Sequence, residues 1–371
     1  MHITPFKLER YFAQYEFSAK YLLSSSDCDG ILQKELLSFA DDEMKKIWEQ
    51  LTLGYTESLG NPLLRKEVSQ LYSNIDSDEV LIITPEEGIF IALNTILNIG
   101  DHVICTFPGY QSLYELAEGL GCEVTKWKPE EENRWRFNPD FLEQQIKPNT
   151  KLIIVNFPHN PTGYLPSKED YQRIVDLAKK NNIYLFSDEM YRFLEHDPID
   201  RLPSACEVYD KAISLFGMSK TFGMAGARIG WVITKDKDIY TKMATFKDYT
   251  TICSSAPSEV LSIIALRAKE KLIVNHLARI KRNLELLDAF FNKYKGMFEW
   301  VRPKAGTIGF PKLKGELKAL DFCQKVVKEA NVMLLPSTVY DFDDKHFRLG
   351  FGRENMPEAL EKLENYLDNS S

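Results

Sequence analysis

The chain lacks the patterns that mark several whole classes of protein. Its six histidines form no His-x3-His pair, so no dedicated zinc site is expected. Its six cysteines, at positions 28, 105, 122, 206, 253 and 323, are scattered and form no Cys-x2-Cys pair. Several fall in apolar strands and read as reduced core thiols of a cytoplasmic protein. There is no dense Lys/Arg block and the net charge is −8, which argues against nucleic acid or an anionic membrane as partner. No apolar run is long enough to span a bilayer. The opening Met1-His2-Ile3-Thr4-Pro5-Phe6 lacks a basic segment followed by an apolar one, so no secretory signal is expected. Gly350-x-Gly352 and Gly223-x2-Gly226 are not dinucleotide fingerprints, because neither opens a first βαβ unit. No internal repeat or low-complexity linker is visible. With 371 residues, 44% of them hydrophobic, the chain has the composition of an ordinary soluble globular protein of one large or two packed domains.

What is present is an alternation of short apolar β-rich runs and amphipathic stretches. The runs Val80–Thr84, Val103–Thr106, Glu123–Trp127, Leu152–Phe157, Ile183–Ser187, Ala212–Phe216 and Ile229–Thr234 read as strands. Ser167–Asn182 reads as a helix, with Ser167 and Asp170 resembling a capping box. Strands alternating with helices predict an α/β fold with a mainly parallel seven-stranded sheet flanked by helices. After about residue 257 the pattern changes. Pro257 to Tyr294 reads as one long helical region. Weaker strand signals follow at Phe298–Arg302, Thr307–Pro311, Val332–Leu335 and His346–Phe351, then a helix from Pro357. The expected division is a large domain over 46–257 and a smaller α+β domain built from 1–45 and 258–371.

Ligands in such sheets sit beyond the carboxyl ends of the strands. The expected ends carry chemistry. Leu152–Phe157 runs into Asn160-Pro161-Thr162-Gly163, Ile183–Ser187 into Asp188 and Tyr191, and Ala212–Phe216 into Ser219-Lys220. Val80–Thr84 leads to a helix beginning near Gly88, and Val103–Thr106 to Phe107 and Tyr110. Lys220, flanked by small residues, can form a Schiff base, and Arg228, eight residues on, can hold a phosphate. Asn160-Pro161-Thr162-Gly163 alone is an ordinary turn sequence. Its place between two buried strands gives it weight.

The order Tyr55-x4-Gly60-x4-Arg65, Asn160-Pro161-Thr162-Gly163, Asp188-x2-Tyr191, Ser219-Lys220 and Arg228 resembles the fold-type-I pyridoxal-phosphate (PLP) enzymes of the class I/II aminotransferase family. The resemblance runs from about Tyr55 to Arg348. It implies a PLP cofactor carried by Lys220, which would also move the substrate proton. Asp188 would face the pyridine nitrogen, and Asn160 and Tyr191 the ring's phenolic oxygen. Phe107 would stack on the ring, ahead of Tyr110. The phosphate would meet Gly88, the backbone N–H groups of Ile89 and Phe90, Ser219 and Arg228, with Tyr55 reaching the neighbouring subunit of a homodimer. Arg348 would clamp the carboxylate of an amino acid or 2-oxo acid, with Asn160 beside it. Arg353 reads as a surface ion pair and His159 as a packing residue.

The chain departs from the family pattern at several positions. Gly217 stands where a phosphate-binding serine is usual, and Phe90 where a hydroxyl residue is usual. Glu86 and Glu87 precede the phosphate helix and are expected to point away, or one of them to engage the substrate. Ser24–Asp29 replaces a glycine-containing substrate loop. The leading expectation is a ping-pong aminotransferase. A PLP-dependent β-lyase, replacement enzyme or cyclase shares its first chemical step and is the alternative. A non-catalytic role fits poorly with the presence of Lys220, Asp188 and Arg348 together.

Overall fold

A computed structural model describes residues 2–370. Its centre is a seven-stranded sheet. The strands are β1 (Val80–Ile83), β2 (His102–Thr106), β3 (Glu123–Trp127), β4 (Thr150–Asn156), β5 (Tyr184–Asp188), β6 (Ala212–Gly217) and β7 (Gly230–Ile233). Their order across the sheet is β1-β7-β6-β5-β4-β2-β3. β2 to β6 pair in parallel, whereas β7 runs antiparallel to both its neighbours, so the sheet is mainly parallel as the sequence predicts. The central strands are buried on both faces, which is why they read as continuous apolar runs. Of the two edge strands, β3 is largely open to solvent, exposed at Glu123 and buried only at Trp127, whereas β1 is buried throughout.

Ser167 caps its helix by accepting from the Asp170 N–H, but the box is only half formed. The Asp170 carboxylate is taken by Arg136 in a two-pronged pair at 2.8 Å.

The expected long helix is in fact two, Ala256–Arg267 and Lys269–Lys293, broken at Ala268. The first packs Val260, Ile263 and Ile264 with the sheet-side residues Phe216 and Trp231. The second packs Ile280, Leu284 and Phe291 with the C-terminal region. Apolar spacing continues across the break, so it carries no mark in the sequence. The weaker strands are shorter than expected. Ile308–Gly309, Leu335–Pro336 and Phe347–Gly350 form a three-stranded sheet, and Phe298–Glu299 pairs with Lys312–Leu313. Val332 forms only an isolated bridge to Tyr21. The final helix is Met356–Ser370.

The N-terminal residues divide their packing. Tyr21, Leu23 and Cys28 join the C-terminal core, but Leu36, Ala40 and Met44 pack with Leu64, Ile82 and Phe216 beside the large sheet. Helix α1 (Lys7–Tyr15) lies over the carboxyl ends of the strands, where Leu8 and Phe12 face a cleft.

Candidate active site

The cleft has a volume of about 390 Å³. Parallel register brings its polar side chains level. Asn156, at the end of β4, stands beside Asp188, at the end of β5. The Asn156 amide donates to the Asp188 carbonyl at 3.1 Å and accepts from the Asn160 N–H at 2.8 Å, tying the two strand ends together. β6 ends at Gly217, and the turn after it delivers Ser219 and Lys220 to the same cleft.

Lys220 is the only lysine lining the cleft among the described residues. Burial lowers its pKa, helped by Arg348 and Arg228 and opposed by Asp27. Its ammonium donates to Ser26 Oγ at 3.0 Å. The Asp188 carboxyl is 5% exposed and has no cation within ion-pair distance among the described residues. Burial pushes its pKa up to about 7, and Glu86 and Glu189 add to the rise. The Met190 N–H, which donates to it at 3.1 Å, opposes that shift. A desolvated acid and a desolvated amine lining one cleft mark a candidate functional site.

One end of the cleft is built for an anion. The Pro85–Ile96 helix starts there, with Thr84 at the N-cap position but its hydroxyl donating to the Arg228 carbonyl at 3.0 Å rather than capping the helix. Pro85 has no N–H, and the Gly88 N–H is already taken by the Thr84 carbonyl at 2.8 Å. The unpaired helix donors are therefore the N–H groups of Glu86 and Glu87. Arg228 lines the same end; it has no carboxylate partner and donates to the Ala225 carbonyl at 3.1 Å.

At the other end Arg348 is 2% exposed and, like Arg228, has no acid partner among the described residues. Its guanidinium donates to the Ser24 carbonyl at 2.9 and 3.2 Å, to the Tyr340 hydroxyl at 2.7 Å and to Asn160 Oδ1 at 3.3 Å. A buried, oriented cation without an anion is a carboxylate site.

Residues 19–363 match the family described as aminotransferase class I and II. The chain belongs to that family. A PLP-dependent aminotransferase from Streptococcus suis is 30% identical, with a TM-score of 0.93, covering 100% of this chain and 99% of that one. An aspartate aminotransferase of Sulfolobus acidocaldarius is 28% identical, covering 91% of this chain and 89% of its own. A capreomycidine synthase of Streptomyces vinaceus is 25% identical, covering 93% and 88% respectively. The protein is accordingly a PLP-dependent aminotransferase, which moves an amino group from an amino acid to a 2-oxo acid. The residues fit the cofactor: a buried acid without a counterion, a desolvated lysine, free helix N–H groups and an arginine are the complements of a pyridinium, an aldehyde and a phosphate.

The aminotransferase cleft gathers Ile89, Asn160, Asp188, Tyr191, Ser219, Lys220, Arg228 and Arg348 of the residues expected from sequence. It does not gather all of them. Phe107 is 3% exposed inside the core, edge-on to Tyr114, with Lys126 over its ring at 5.0 Å. Tyr110 lines the cleft in its place, because the turn after β2 buries the first aromatic and exposes the second. Phe90 packs edge-on to Phe246, away from the cleft. Gly88 supplies packing room rather than a donor: a Cβ there would meet Leu215 and Val232 at 3.1 Å. Ile89 offers an apolar wall, since helical N–H groups beyond Gly88 bond within the helix. Tyr55 is 89% exposed and lies outside the cleft. Tyr191 donates its hydroxyl to the Ser26 carbonyl at 3.1 Å.

Sequence reasoning missed several lining residues. Asn156 was hidden inside an apolar strand. The two glutamates before Gly88 part company. Glu87 turns outward to Thr250 and Thr251, whereas Glu86 lines the cleft, accepting from Ser112 and Tyr110. Helix α1 and Ser25–Asp27 close the cleft from above, a contact spanning most of the chain that no local pattern signals. Arg353 does form an ion pair, to Asp27 at 3.1 Å, but at the cleft wall. His159 is buried, and burial drops its pKa to about 3, so it serves as a neutral packing group bonded to Thr162. Gly217 has a steric reason: a Cβ there would lie 3.0 Å from Pro85 Cγ and from Gly230 Cα.

Proposed function

We propose that the chain is a cytoplasmic, homodimeric aminotransferase working in two half-reactions on one cleft, with Lys220 as its proton carrier. When bound, PLP supplies an electron sink and carries the amino group between the half-reactions. Lys220 tethers the cofactor through Nζ. Its neutral amine, close by in the cleft, would take the proton from the substrate Cα. Burial suits it to that task, since it holds the amine nearer its neutral form. Asp188 would accept a hydrogen bond from the protonated ring nitrogen, whose positive charge would favour its carboxylate form. Asn160, with no partner for its side-chain NH2 among the described residues, and Tyr191 donate to the ring oxygen. Tyr110 rather than Phe107 covers the ring face. The N–H groups of Glu86 and Glu87, with Ser219 and Arg228, hold the phosphate. Arg348 grips the α-carboxylate and so fixes which Cα bond faces the ring.

The observation that carries this reading is the spacing of charges without partners: Asp188 beneath the cleft and Arg348 at its end, with Lys220 between them. The exposed Tyr55 supports a dimer in which it reaches the partner's phosphate. All six cysteines are free, four of them buried, which suits a reducing compartment. Residues 46–257 are proposed as the cofactor domain, and 1–45 with 258–371 as the smaller one.

The test is a spectral titration of the yellow holoenzyme with single amino acids. Transamination accumulates the aminated cofactor and one equivalent of 2-oxo acid. Release of ammonia or thiol with the original spectrum restored would replace this reading by elimination. The likeness to a capreomycidine synthase, at 25% identity, keeps a lyase, replacement or cyclase reaction as the second reading.

A further inference from the structure

The cleft holds more acids than its cofactor and a simple substrate can use. Each cation facing it has a task under the proposed function. Lys220 tethers, Arg228 meets phosphate and Arg348 meets the α-carboxylate. Arg353 is held by both oxygens of Asp27, at 3.1 and 3.3 Å. Among the acids, Asp188 meets the ring nitrogen. Glu86 is half-buried, hydrogen-bonded to Ser112 and Tyr110, and its pKa is raised by desolvation, so it holds its proton more readily than a free carboxylate.

Two acids remain. Glu9 and Glu16 line the cleft, and neither has a hydrogen-bond or ion-pair partner for its carboxylate among the described residues. They stand seven residues apart, about two turns, with Glu9 exposed within α1 and Glu16 half-buried in helical conformation at its C-cap, and both border the cleft that holds Lys220. Leu8 and Phe12, one turn apart on the same helix, add an apolar strip to the cleft wall, and the centre of the Phe12 ring lies 5.7 Å from the Arg348 guanidinium. A second observation points the same way. Ser25 lines this cleft, is 5% exposed, and its buried Oγ has no hydrogen-bond partner. A buried hydroxyl without a partner is an acceptor waiting for a donor.

We infer that the amino-group donor is an L-amino acid whose side chain ends in a cation, an ammonium or a guanidinium, held by Glu9 and Glu16 with its methylenes on Leu8 and Phe12. The inference rests on the proposed aminotransferase function and names its substrate class. An aspartate-like side chain would need a further free cation, and the cleft has none: Arg353 is already paired, and Glu9 and Glu16 would repel a second carboxylate. A neutral side chain seated there would displace water from the two carboxylates, Glu9 exposed and Glu16 half-buried, without offering them a donor. A cation satisfies both, and the Ser25 hydroxyl can accept one of its N–H groups.

The holoenzyme is mixed with L-lysine, L-ornithine, L-arginine, L-norleucine, L-aspartate or L-tyrosine. The second-order rate constant of the first half-reaction is read from the cofactor spectrum. Norleucine is the key comparison, since it keeps the methylenes of lysine and lacks the ammonium. The best cationic amino acid should exceed norleucine by about tenfold or more. Glu9→Gln and Glu16→Gln should each shrink that ratio by about fivefold, the worth of a partly exposed charge pair. Lysine and ornithine against arginine separate an ammonium from a guanidinium. Norleucine, aspartate or tyrosine outpacing every cationic substrate would overturn the inference while leaving an aminotransferase. So would a ratio unmoved in both variants. Failure of every amino acid to change the spectrum would instead overturn the proposed function, and this inference with it.

Discussion

Ser26 Oγ accepts a hydrogen bond from Lys220 Nζ at 3.0 Å, across a sequence separation of 194 residues. The same serine's carbonyl accepts from Tyr191 at 3.1 Å and from Thr307 at 2.9 Å. One residue of the N-terminal segment thus touches the lysine, the tyrosine after β5 and the small sheet. The segment is part of the catalytic cleft, and its closure over Lys220 contributes to the desolvation that lowers the amine's pKa.

Replacing Lys220 removes both the tether and the proton carrier. Lys220→Ala should bind PLP without the absorbance of a lysine-linked cofactor and resist borohydride fixation. Its half-reaction rate should fall by on the order of 10⁴ or more. Stopped-flow absorbance with the wild type alongside checks this.

Asp188 makes the cofactor-free protein sensitive to pH. Its folded pKa, about 7, lies above the ordinary 3.8. The sign follows: its contribution is complete below about pH 4 and is lost as pH rises through 7, because unfolding then releases a carboxylate from burial. The size is on the order of 3–4 kcal/mol. The cofactor-free Asp188→Asn variant should therefore lose less stability than wild type between pH 5 and pH 8, measured by urea unfolding. Adding PLP should narrow the difference in the wild type, as the ring supplies the missing cation. In the holoenzyme Asp188→Asn should cost about 10²–10⁴ in rate, the loss expected when a buried charge pair is broken.

Arg348→Met leaves the substrate carboxylate without its fork. The expected loss in kcat/KM is about 3–5 kcal/mol, shared between a higher KM and a lower kcat. Discrimination between an amino acid and its decarboxylated amine should shrink in parallel, which steady-state assays with the two compounds measure.

Glu86 adds negative charge beside the phosphate end and beside Asp188. Glu86→Gln keeps a hydrogen-bonding side chain toward Ser112 and Tyr110 and removes the charge. PLP should bind severalfold tighter, and the Asp188 titration should move downward; equilibrium dialysis and the pH dependence of the spectrum report each.

Gly217→Ser restores the hydroxyl usual in the family but not its room. The new Cβ would press on Pro85 and Gly230 at 3.0 Å. The variant should lose about 1–3 kcal/mol of stability in chemical denaturation, the usual cost of overpacking, and gain no affinity for PLP.

Much of the site was legible because its parts are local. Lys220, Asp188 and Asn160 each follow an apolar strand by a few residues, and parallel pairing brings such ends to one edge. Phe107 and Tyr110 were ordered wrongly, because which of two aromatics in a turn faces the cleft depends on how that turn packs on Tyr114 and Phe342. The free N–H groups at the start of the Pro85–Ile96 helix lie a few residues earlier than expected. The first free N–H of a helix depends on where the helix begins, and Thr84-Pro85 starts it before Gly88. The break at Ala268 left no trace, since both helices keep apolar spacing while packing on different cores.

By itself the sequence determined the strands, the cofactor class and most of the polar residues that the strand ends bring to the cleft, because periodicity and strand-end motifs are set by neighbours in the chain. Only the tertiary structure decided what covers that chemistry. The acids of α1, the Ser25–Asp27 strap and the inward turn of Glu86 meet Lys220 through contacts far apart in sequence. Their charges acquire meaning only when it is known which of them the fold leaves without partners.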